Sequence, residues 1–570
     1  MSVLEPHEGP AGPAAYPEAG APRVPEAPGV AGAPGVAGAP GVAEAPGVSA
    51  DGAVTHETGA DRDDRIALVL EAAAIVFVAL AAFTWRLLPD VGYWDTAIFQ
   101  ASPPVLGLTH PTGYPTWNLL GWLWTTILPL GGPAFELNLM TAVAGALAVG
   151  MIYVVARQVG SDRIPAAAAA LTCGLMVSFW RTAGHADPHP LHVLLAMTVL
   201  SLLLAWDRRR RARYLVAAAL VFGIGMGNHM LMAMLVPGIG VYLVTARPTI
   251  FREPRTIAGS VIALLAGLAV YAYVPIRAAA NPPIHYDYEP TTLPLFMRYV
   301  LGQDFSGQMA FLSVAGLGMA AEQVNTLAKQ LGDALTPPVA LGLVVLAAAG
   351  FASLVAARSF RTAWLLAATA GLTLYARLTY QNGDLERYQL FPIAVGAALA
   401  ALGLTALWRL ATTRVETPGE PVSAGRRAPR PLDPVLRLVP GVLLVVPIVL
   451  LAVNNDRVKV ADSRCYLEDL VANAPQDAAV VSWWSLATPI WYTQAVEGRR
   501  GDLTVVSAGS TVVDEIARFQ ADGRPVIIIQ LDKELKLARD AGYPMEEVKY
   551  CGTSAWQITG PAAPGADTAP

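Results

Sequence analysis

The sequence predicts an all-α polytopic membrane protein with a small α/β domain at its C-terminal end. Three observations carry that expectation. Hydrophobic residues make up 54% of the 570 positions. Charged residues make up 15%, against about 25% in an average soluble protein, too few to face water on every side. Apolar runs long enough to cross about 30 Å of hydrocarbon recur from residue 66 to residue 455. The net charge of -5 supplies no broad basic surface, which argues against a nucleic-acid partner. Cys173, Cys465 and Cys551 include no Cys-x-x-Cys pair, so neither a zinc ribbon nor a thioredoxin-like motif is available.

Residues 1–62 are rich in Ala, Pro and Gly, with a period-six Ala-Pro-Gly-Val repeat from Ala27 to Val48. Nothing there can bury a core, and a disordered cytoplasmic tail is expected in preference to an elastic spacer. No cleavable signal peptide is expected ahead of the first apolar stretch. Residues 63–455 form the transmembrane region, with apolar stretches near 66–87, 137–157, 163–181, 190–206, 214–227, 229–246, 256–275, 336–357, 362–380, 389–409 and 438–455, about eleven spans. The stretches 214–227 and 229–246 are short, and Gly223, Gly225 and Gly227 are expected to mark the bend between them.

Charge orients these spans. The basic clusters are Arg208–Arg211 with Arg213, Arg252 with Arg255, Arg358 with Arg361, and Arg409 through Arg437. Placing all four in the cytoplasm puts everything from Asp90 to Glu136 on the opposite side. The segment 115–131, with Trp117, Trp122 and Trp124, is then an interfacial helix rather than a span. The expectation is a multi-pass plasma-membrane protein with its N-terminus cytoplasmic and its C-terminus extracytoplasmic. Under this topology His110, His185, His189, His192, His229 and His285 all fall at outer helix ends or in outer loops. Asp95, Asp187, Asp384 and Glu386 fall there too, and titratable groups gathered at a membrane edge mark a site.

Residues 456–570 differ. Ala478–Trp483, Leu503–Val506 and Pro525–Gln530 read as short buried strands, separated by helical patterns at Val512–Gln520 and Lys533–Asp540. That alternation indicates a small extracytoplasmic α/β domain with a disordered end. Cys465 and Cys551 both belong to it; a disulfide and two free buried thiols are both open. Its aromatics, Ser482-Trp-Trp484 and Pro489-Ile-Trp-Tyr492, suit either a sugar- or peptide-binding face or, more commonly, a small core.

The first outer loop reads Gly92-Tyr-Trp-Asp95-Thr-Ala-Ile-Phe-Gln100, then Leu108-Thr-His110-Pro-Thr-Gly-Tyr114-Pro115. Asp95 suits a general base for an incoming hydroxyl, or simply a cap for an interfacial helix that Thr96 opens. His185-x-Asp187-x-His189-x-x-His192 contains ligand types for a divalent metal. Pro188 and Pro190 keep that segment extended, however, so a substrate-lining loop is favoured and no metal ligands are assigned.

These motifs resemble the protein O-mannosyltransferase-like membrane family, of the GT-C class of glycosyltransferases. The resemblance rests on the two first-loop motifs, on Phe135-Glu-Leu-Asn138-Leu-Met-Thr-Ala, and on Phe179-Trp-Arg-Thr-Ala followed by Ala186-Asp187. It continues through Gly223-Ile-Gly-Met-Gly-Asn228-His229, Pro275-Ile-Arg277 with Asn281-Pro-Pro, and Asp384-x-Glu386-x-Tyr388, covering residues 66 to about 400. It implies a GT-C-like fold and transfer of a sugar, mannose by the family label, from a polyprenyl-phosphate-linked donor. The acceptor would be a hydroxyl on a protein or glycan at the extracytoplasmic face, with the lipid bilayer holding the carrier. The catalytic acid of such enzymes sits in the first outer loop, which points to Asp95, with Asp187 assisting. Departing from the family, the second acid usually found three residues on is Ile98 here.

Departure of a polyprenyl phosphate builds negative charge, which cations and donors stabilise. Arg277, with Asn228 and His229, is assigned that task. Asn228 and His229 also suit the sugar ring, or mere capping of a helix turn. Gln100, His110, Tyr114, Asp384, Glu386 and Tyr388 complete the expected substrate-binding set, while Arg298 and Arg387 are weaker candidates for the phosphate and read first as interfacial anchors. Two other classes remain in play. A transporter or flippase of lipid-linked sugars would show internal repeats and polar groups at the bilayer midplane, which the sequence lacks. A catalytically silent member is the reading that Ile98 motivates.

Overall fold

The structure, a computed structural model, describes residues 59–286, 288–311, 313–381, 385–412, 445–508, 511–529 and 532–562. Residues 59–570 form one compact unit. The tail expected over 1–62 falls outside the described residues but for its last four, as do Asp384, the cluster from Arg414 to Arg437, and the end of the C-terminal domain beyond 562.

The chain opens with α1 (Gly59–Trp85), then two short helices, α2 (Asp95–Ala101) and α3 (Pro115–Ile127). Next come α4 (Pro133–Gln158), α5 (Arg163–Gly174), α6 (Val177–Ala183), α7 (Pro188–Arg209) and α8 (Ala212–Asn228). After a 3-10 turn over Met230–Leu235 follow α9 (Val236–Ala246), α10 (Pro254–Leu268), α11 (Tyr273–Ala279), α12 (Leu293–Val300) and α13 (Val314–Leu335). The helical region closes with α14 (Pro337–Ala356), α15 (Phe360–Leu378), α16 (Leu390–Thr412) and α17 (Val445–Asn454). Several helices begin on proline, among them α3, α4, α7, α10 and α14. At the first position the missing N–H costs nothing and the fixed φ already suits the helix.

Among the described residues, six helical segments are long and apolar enough to cross a membrane: Asp63–Trp85, Pro133–Gln158, Pro188–Arg209, Pro254–Ala279, Pro337–Ala356 and Arg387–Arg409. Arg163–Gly174 with Val177–Ala183, bent by 68°, makes a seventh if counted as one. About eleven spans were expected; these six or seven are the ones that length and composition alone pick out among the described residues, and every one of the eleven stretches is helical where described. Ala212–Asn228 and Met230–Ala246 are shorter apolar helices, and α15 carries Arg361 and Arg377 within its 19 residues. The last stretch is described only from Val445. Segment 115–131 folds as the 13-residue α3, about 20 Å long at 1.5 Å per residue and too short to span.

The helices at 133–158, 188–209 and 387–409 are the centre of the bundle, with 72% of each apolar window buried, whereas α1 and α14 bury 22% and 11%. Val69, Leu70 and Phe77 of α1 and Leu341, Val344 and Val345 of α14 are exposed, an apolar surface that suits lipid. The glycine run does not make the expected bend. Helix α8 runs unbroken to Asn228, and a Cβ on Gly223 would lie 2.5 Å from the Leu264 carbonyl of α10. The glycine instead lets two backbones touch; the break comes at His229.

The C-terminal part holds β1 (Ala479–Ser482), β2 (Thr504–Ser507), β3 (Val526–Ile529), β4 (Met545–Tyr550) and β5 (Thr553–Ile558), in spatial order β2-β1-β3-β5-β4. The three strands expected from apolar runs are the parallel ones, joined through α19 (Trp484–Ala495) and α20 (Val512–Ala521), as parallel pairing requires. Helix α18 (Arg464–Asn473) precedes them and α21 (Asp532–Asp540) follows β3. The antiparallel β4–β5 hairpin was not expected. It turns on Cys551 and Gly552, both at positive φ, the backbone a two-residue hairpin needs. Cys551 is disulfide-bonded to Cys465 of α18, which closes the question the sequence left open.

Candidate active site

Asn138 of α4 fixes two loops at once. Its Nδ2 donates to the Leu88 carbonyl at 2.8 Å, while its Oδ1 accepts from the Ala186 amide at 2.8 Å and from Gln100 Nε2 at 2.8 Å. Gln100 Oε1 accepts from the Gly92 amide at 2.9 Å, and Nε2 also donates to the Asp90 carbonyl at 3.1 Å. Both side chains are fully buried, so these bonds face no competition from water. The segment carrying Asp95 is thereby tied to the segment carrying Asp187. Gln100, expected to contact substrate, is a brace in this structure.

The sheet region holds the other side of the same loop. Trp94 has φ 58°, a costly backbone for a bulky residue. Its amide donates to the Ser485 carbonyl at 3.2 Å and its carbonyl accepts from Thr488 Oγ1 at 2.8 Å, both from α19. Arg464 of α18 grips Asp90 with two bonds of 2.8 and 2.7 Å and also reaches Glu497 at 2.7 Å. The twist at Trp94 aims Asp95, first residue of α2, into the protein.

Asp95 Oδ2 accepts from Arg387 Nη2 at 2.5 Å and Oδ1 from the Trp484 indole at 2.8 Å. The same guanidinium donates Nη1 to Asp187 Oδ2 at 3.1 Å. Asp187, 1% exposed, caps α7 by accepting from the His189 amide at 2.7 Å and pairs with His189 Nδ1 at 2.8 Å. One cation thus bridges two carboxylates. Burial alone would raise the Asp95 carboxyl, but Arg387, with His110 and the indole, outweighs it and holds the group below its usual range. Asp187 is likewise pushed up by burial and drawn further down by His189 and Arg387. Both are ionised acceptors at neutral pH. His110 lies between Phe99, Tyr114 and Trp484 at ring distances of 5.5, 5.2 and 5.9 Å, and burial lowers its pKa despite the neighbouring Asp95.

Beyond Asp187 lies a cluster of rings. His189 sits 4.5 Å from His229 and 4.8 Å from Tyr388, and His229 is 5.7 Å from each of His192, Tyr114 and Tyr388. His229 Nδ1 accepts from the Leu231 amide at 3.1 Å, and Asn228 Nδ2 donates to the Pro188 carbonyl at 3.0 Å. His229 caps the following 3-10 turn and Asn228 ties α8 to the start of α7, and each uses only one polar atom of its side chain. His185 turns away, its Nδ1 on the Arg181 carbonyl at 2.7 Å.

The other expected residues are placed as follows. Arg277 donates Nε to the Leu106 carbonyl at 2.7 Å and Nη2 to that of Val105 at 3.4 Å, in the turn after α2. Glu386 pairs with Arg181 at 2.8 Å. Asp384 lies outside the described residues. Ile98, 2% exposed, belongs to the apolar cluster of Phe99, Trp117, Leu137 and Leu191, so the position of the family's second acid faces packing rather than Asp95. Two residues outside the expected site set touch Asp95. Arg387, read as an interfacial anchor, is the bridge between the acids. Trp484, read as core, donates to Asp95. The signal for Arg387 was its place inside Asp384-x-Glu386-Arg-Tyr388; for Trp484 there was none beyond the aromatic pair. Among the described residues no group of three or more His, Cys, Asp or Glu side chains is arranged to hold a metal ion.

Comparison with known proteins follows the same path. Residues 95–250 match the family model described as Protein O-mannosyl-transferase TMEM260 N-terminal domain. Over 367 residues the chain is 26% identical to the mouse (Mus musculus) Protein O-mannosyl-transferase TMEM260, covering 59% of this chain and 50% of that protein. The chain therefore spans about half the length of the curated relative it matches. The Archaeoglobus fulgidus oligosaccharyltransferase, solved with zinc and sulfate, superposes with TM-score 0.51 at 14% identity, over 85% of this chain and 72% of that one. ArnT from Cupriavidus metallidurans, bound to undecaprenyl phosphate, superposes with TM-score 0.49 at 15% identity, over 88% and 99%. The fold is that of the GT-C membrane glycosyltransferases.

Proposed function

With residues 95–250 carrying the N-terminal domain of the protein O-mannosyl-transferase family on a GT-C fold, we propose that this chain transfers a sugar from a polyprenyl-phosphate-linked donor to an acceptor hydroxyl. The relatives' names suggest mannose as the sugar and a protein as the acceptor. The observation that supports this best is the pair of ionised carboxylates, Asp95 and Asp187, sharing Arg387 beneath the Trp484 indole.

Asp95 is the general base. The acceptor oxygen bonds to the anomeric carbon, the bond from that carbon to the phosphate oxygen breaks, and the hydroxyl proton passes to Asp95. The bridging cation lowers the basicity of Asp95. The carboxylate therefore aligns the hydroxyl first and takes its proton late, once the new bond has made it acidic. Asp187 assists by sharing the guanidinium. Arg277 is assigned to the departing phosphate, whose growing charge it would stabilise. Beside its helix a groove of about 300 Å³, lined by Tyr271, Pro275, Leu293 and Phe296 among others, suits an isoprenoid chain. The site faces the extracytoplasmic side in this reading, opposite the arginine-rich loops.

Asp95→Asn keeps the shape and removes the proton acceptor. Assayed with purified protein and polyprenyl-phosphate sugars, it should lose about 10²–10⁴-fold in turnover while unfolding at the wild-type temperature. Full activity in that variant removes the mechanism. Lipid-linked sugar that crosses the bilayer without cleavage makes the protein a flippase, and no turnover by the wild type makes it a silent member.

A further inference from the structure

Four polar side chains next to Asp187 are buried almost completely and keep atoms with no partner in the protein. They are His189 Nε2, both ring nitrogens of His192, His229 Nε2 and Asn228 Oδ1. Buried polar atoms without partners cost about 1–3 kcal/mol each, so a cluster of them points to a ligand that pairs with them. The rings of His189, His192 and His229 lie within 5.7 Å of one another along the contacts through His229, and Tyr114 and Tyr388 close the sides.

Hydrogen bonds already made fix what these atoms offer. The Leu231 amide donates to His229 Nδ1, so the ring's proton is on Nε2, a donor. The Pro188 carbonyl can only accept, which puts the Asn228 amide nitrogen there and leaves Oδ1 as an acceptor. His189 gives its Nδ1 proton to Asp187, and in the neutral ring Nε2 is a lone pair. A neutral His192 adds one donor and one acceptor. The set mixes donors with at least as many acceptors and contains no guanidinium or ammonium. A phosphodiester has no hydrogens to give and would meet lone pairs with lone pairs. A sugar hydroxyl donates one hydrogen and accepts others, which fits.

We infer that His189, His192, His229 and Asn228 form a subsite for the hydroxyl groups of the transferred sugar, and not for the carrier phosphate. This rests on the transferase reading and refines it, moving Asn228 and His229 from the phosphate to the sugar. The position agrees with the chemistry, since the chain of contacts Asp95–Arg387–Asp187–His189–His229 sets the sugar beside the base that serves its anomeric carbon.

His192→Leu tests it with little risk to the fold, because neither ring nitrogen has a protein partner to lose. The full chain in nanodiscs is titrated with undecaprenyl phosphate and with the same lipid bearing mannose, glucose or N-acetylglucosamine. The wild type should bind at least one glycosylated lipid about tenfold more tightly than the bare one, the size of one good hydrogen bond. His192→Leu should erase most of that preference, leave the bare-lipid affinity unchanged, and melt no lower than wild type without ligand. Parallel weakening for both lipids overturns the proposal in favour of a phosphate site. No preference in the wild type, or an undiminished preference in the variant, also overturns it. A chain that keeps the preference yet turns over no lipid retains this subsite and loses the transferase reading.

Discussion

Arg387 stands between Asp95 at 2.5 Å and Asp187 at 3.1 Å, and its removal leaves two half-buried or buried anions facing each other. Because the Asp95 carboxyl is held below its usual 3.8, the deprotonated base is present above that pH and lost as pH falls through the lowered value. Arg387→Gln withdraws the main attraction that opposes burial and leaves Asp187 as a like charge, so the pKa of Asp95 rises. The acidic limb of the pH–rate profile should move upward, with a lower plateau. An unmoved limb would show that Asp95 does not gain its ionisation from this guanidinium. Asp95 and Asp187 were picked out in the sequence through the motifs that resemble a known family, since spacing alone suited a helix cap as well as a base. Arg387 and Trp484 were not, since their contacts with Asp95 cross 292 and 389 residues and no local pattern records them.

The pairing of α14 with α16 depends on glycine at the level of whole elements. A Cβ on Gly350 would lie 1.9 Å from the Leu399 carbonyl, and one on Gly403 would lie 2.0 Å from that of Leu346. These are backbone atoms and cannot swing aside. Gly350→Leu must part the helices and should cost about 3 kcal/mol or more, read as a fall in melting temperature; Gly342→Leu, which meets open space, serves as the neutral control. Elements were well read where burial wrote a strong pattern. The β1 and β3 runs are buried throughout and appeared as continuous apolar segments. Strand β4, Met-Glu-Glu-Val-Lys-Tyr, lies at the sheet edge with only Tyr550 buried, so neither alternation nor an apolar run announced it. The bend assigned to the glycine run failed for a different reason: in a bundle glycine as often marks contact between helices as a turn.

Across the whole molecule, the proposed topology sets Trp94, which is half-exposed, and Arg209 on opposite faces of the bilayer. Single cysteines at these positions, in a background lacking Cys173, should react differently with a membrane-impermeant maleimide. Trp94→Cys should label in intact cells and Arg209→Cys only after permeabilisation, and labelling of both under the same condition would invert the orientation. A disulfide between Cys465 and Cys551 fits the non-cytoplasmic side, where such bonds persist. On the chain-entropy view, closing a separation of 86 residues is worth about 4.6 kcal/mol to the sheet region that carries Trp484.

That indole has a temporal consequence. Trp484 leaves the ribosome 389 residues after Asp95, and Thr488 and Ser485, which hold the loop at Trp94, come with it. A nascent chain already threaded through the bilayer therefore carries its acid in an unfinished setting, with one donor in place of two and a twisted backbone that nothing restrains. In the proposed mechanism, transfer waits for the sheet region to fold, so the order of translation would work as a safety catch against a half-made site.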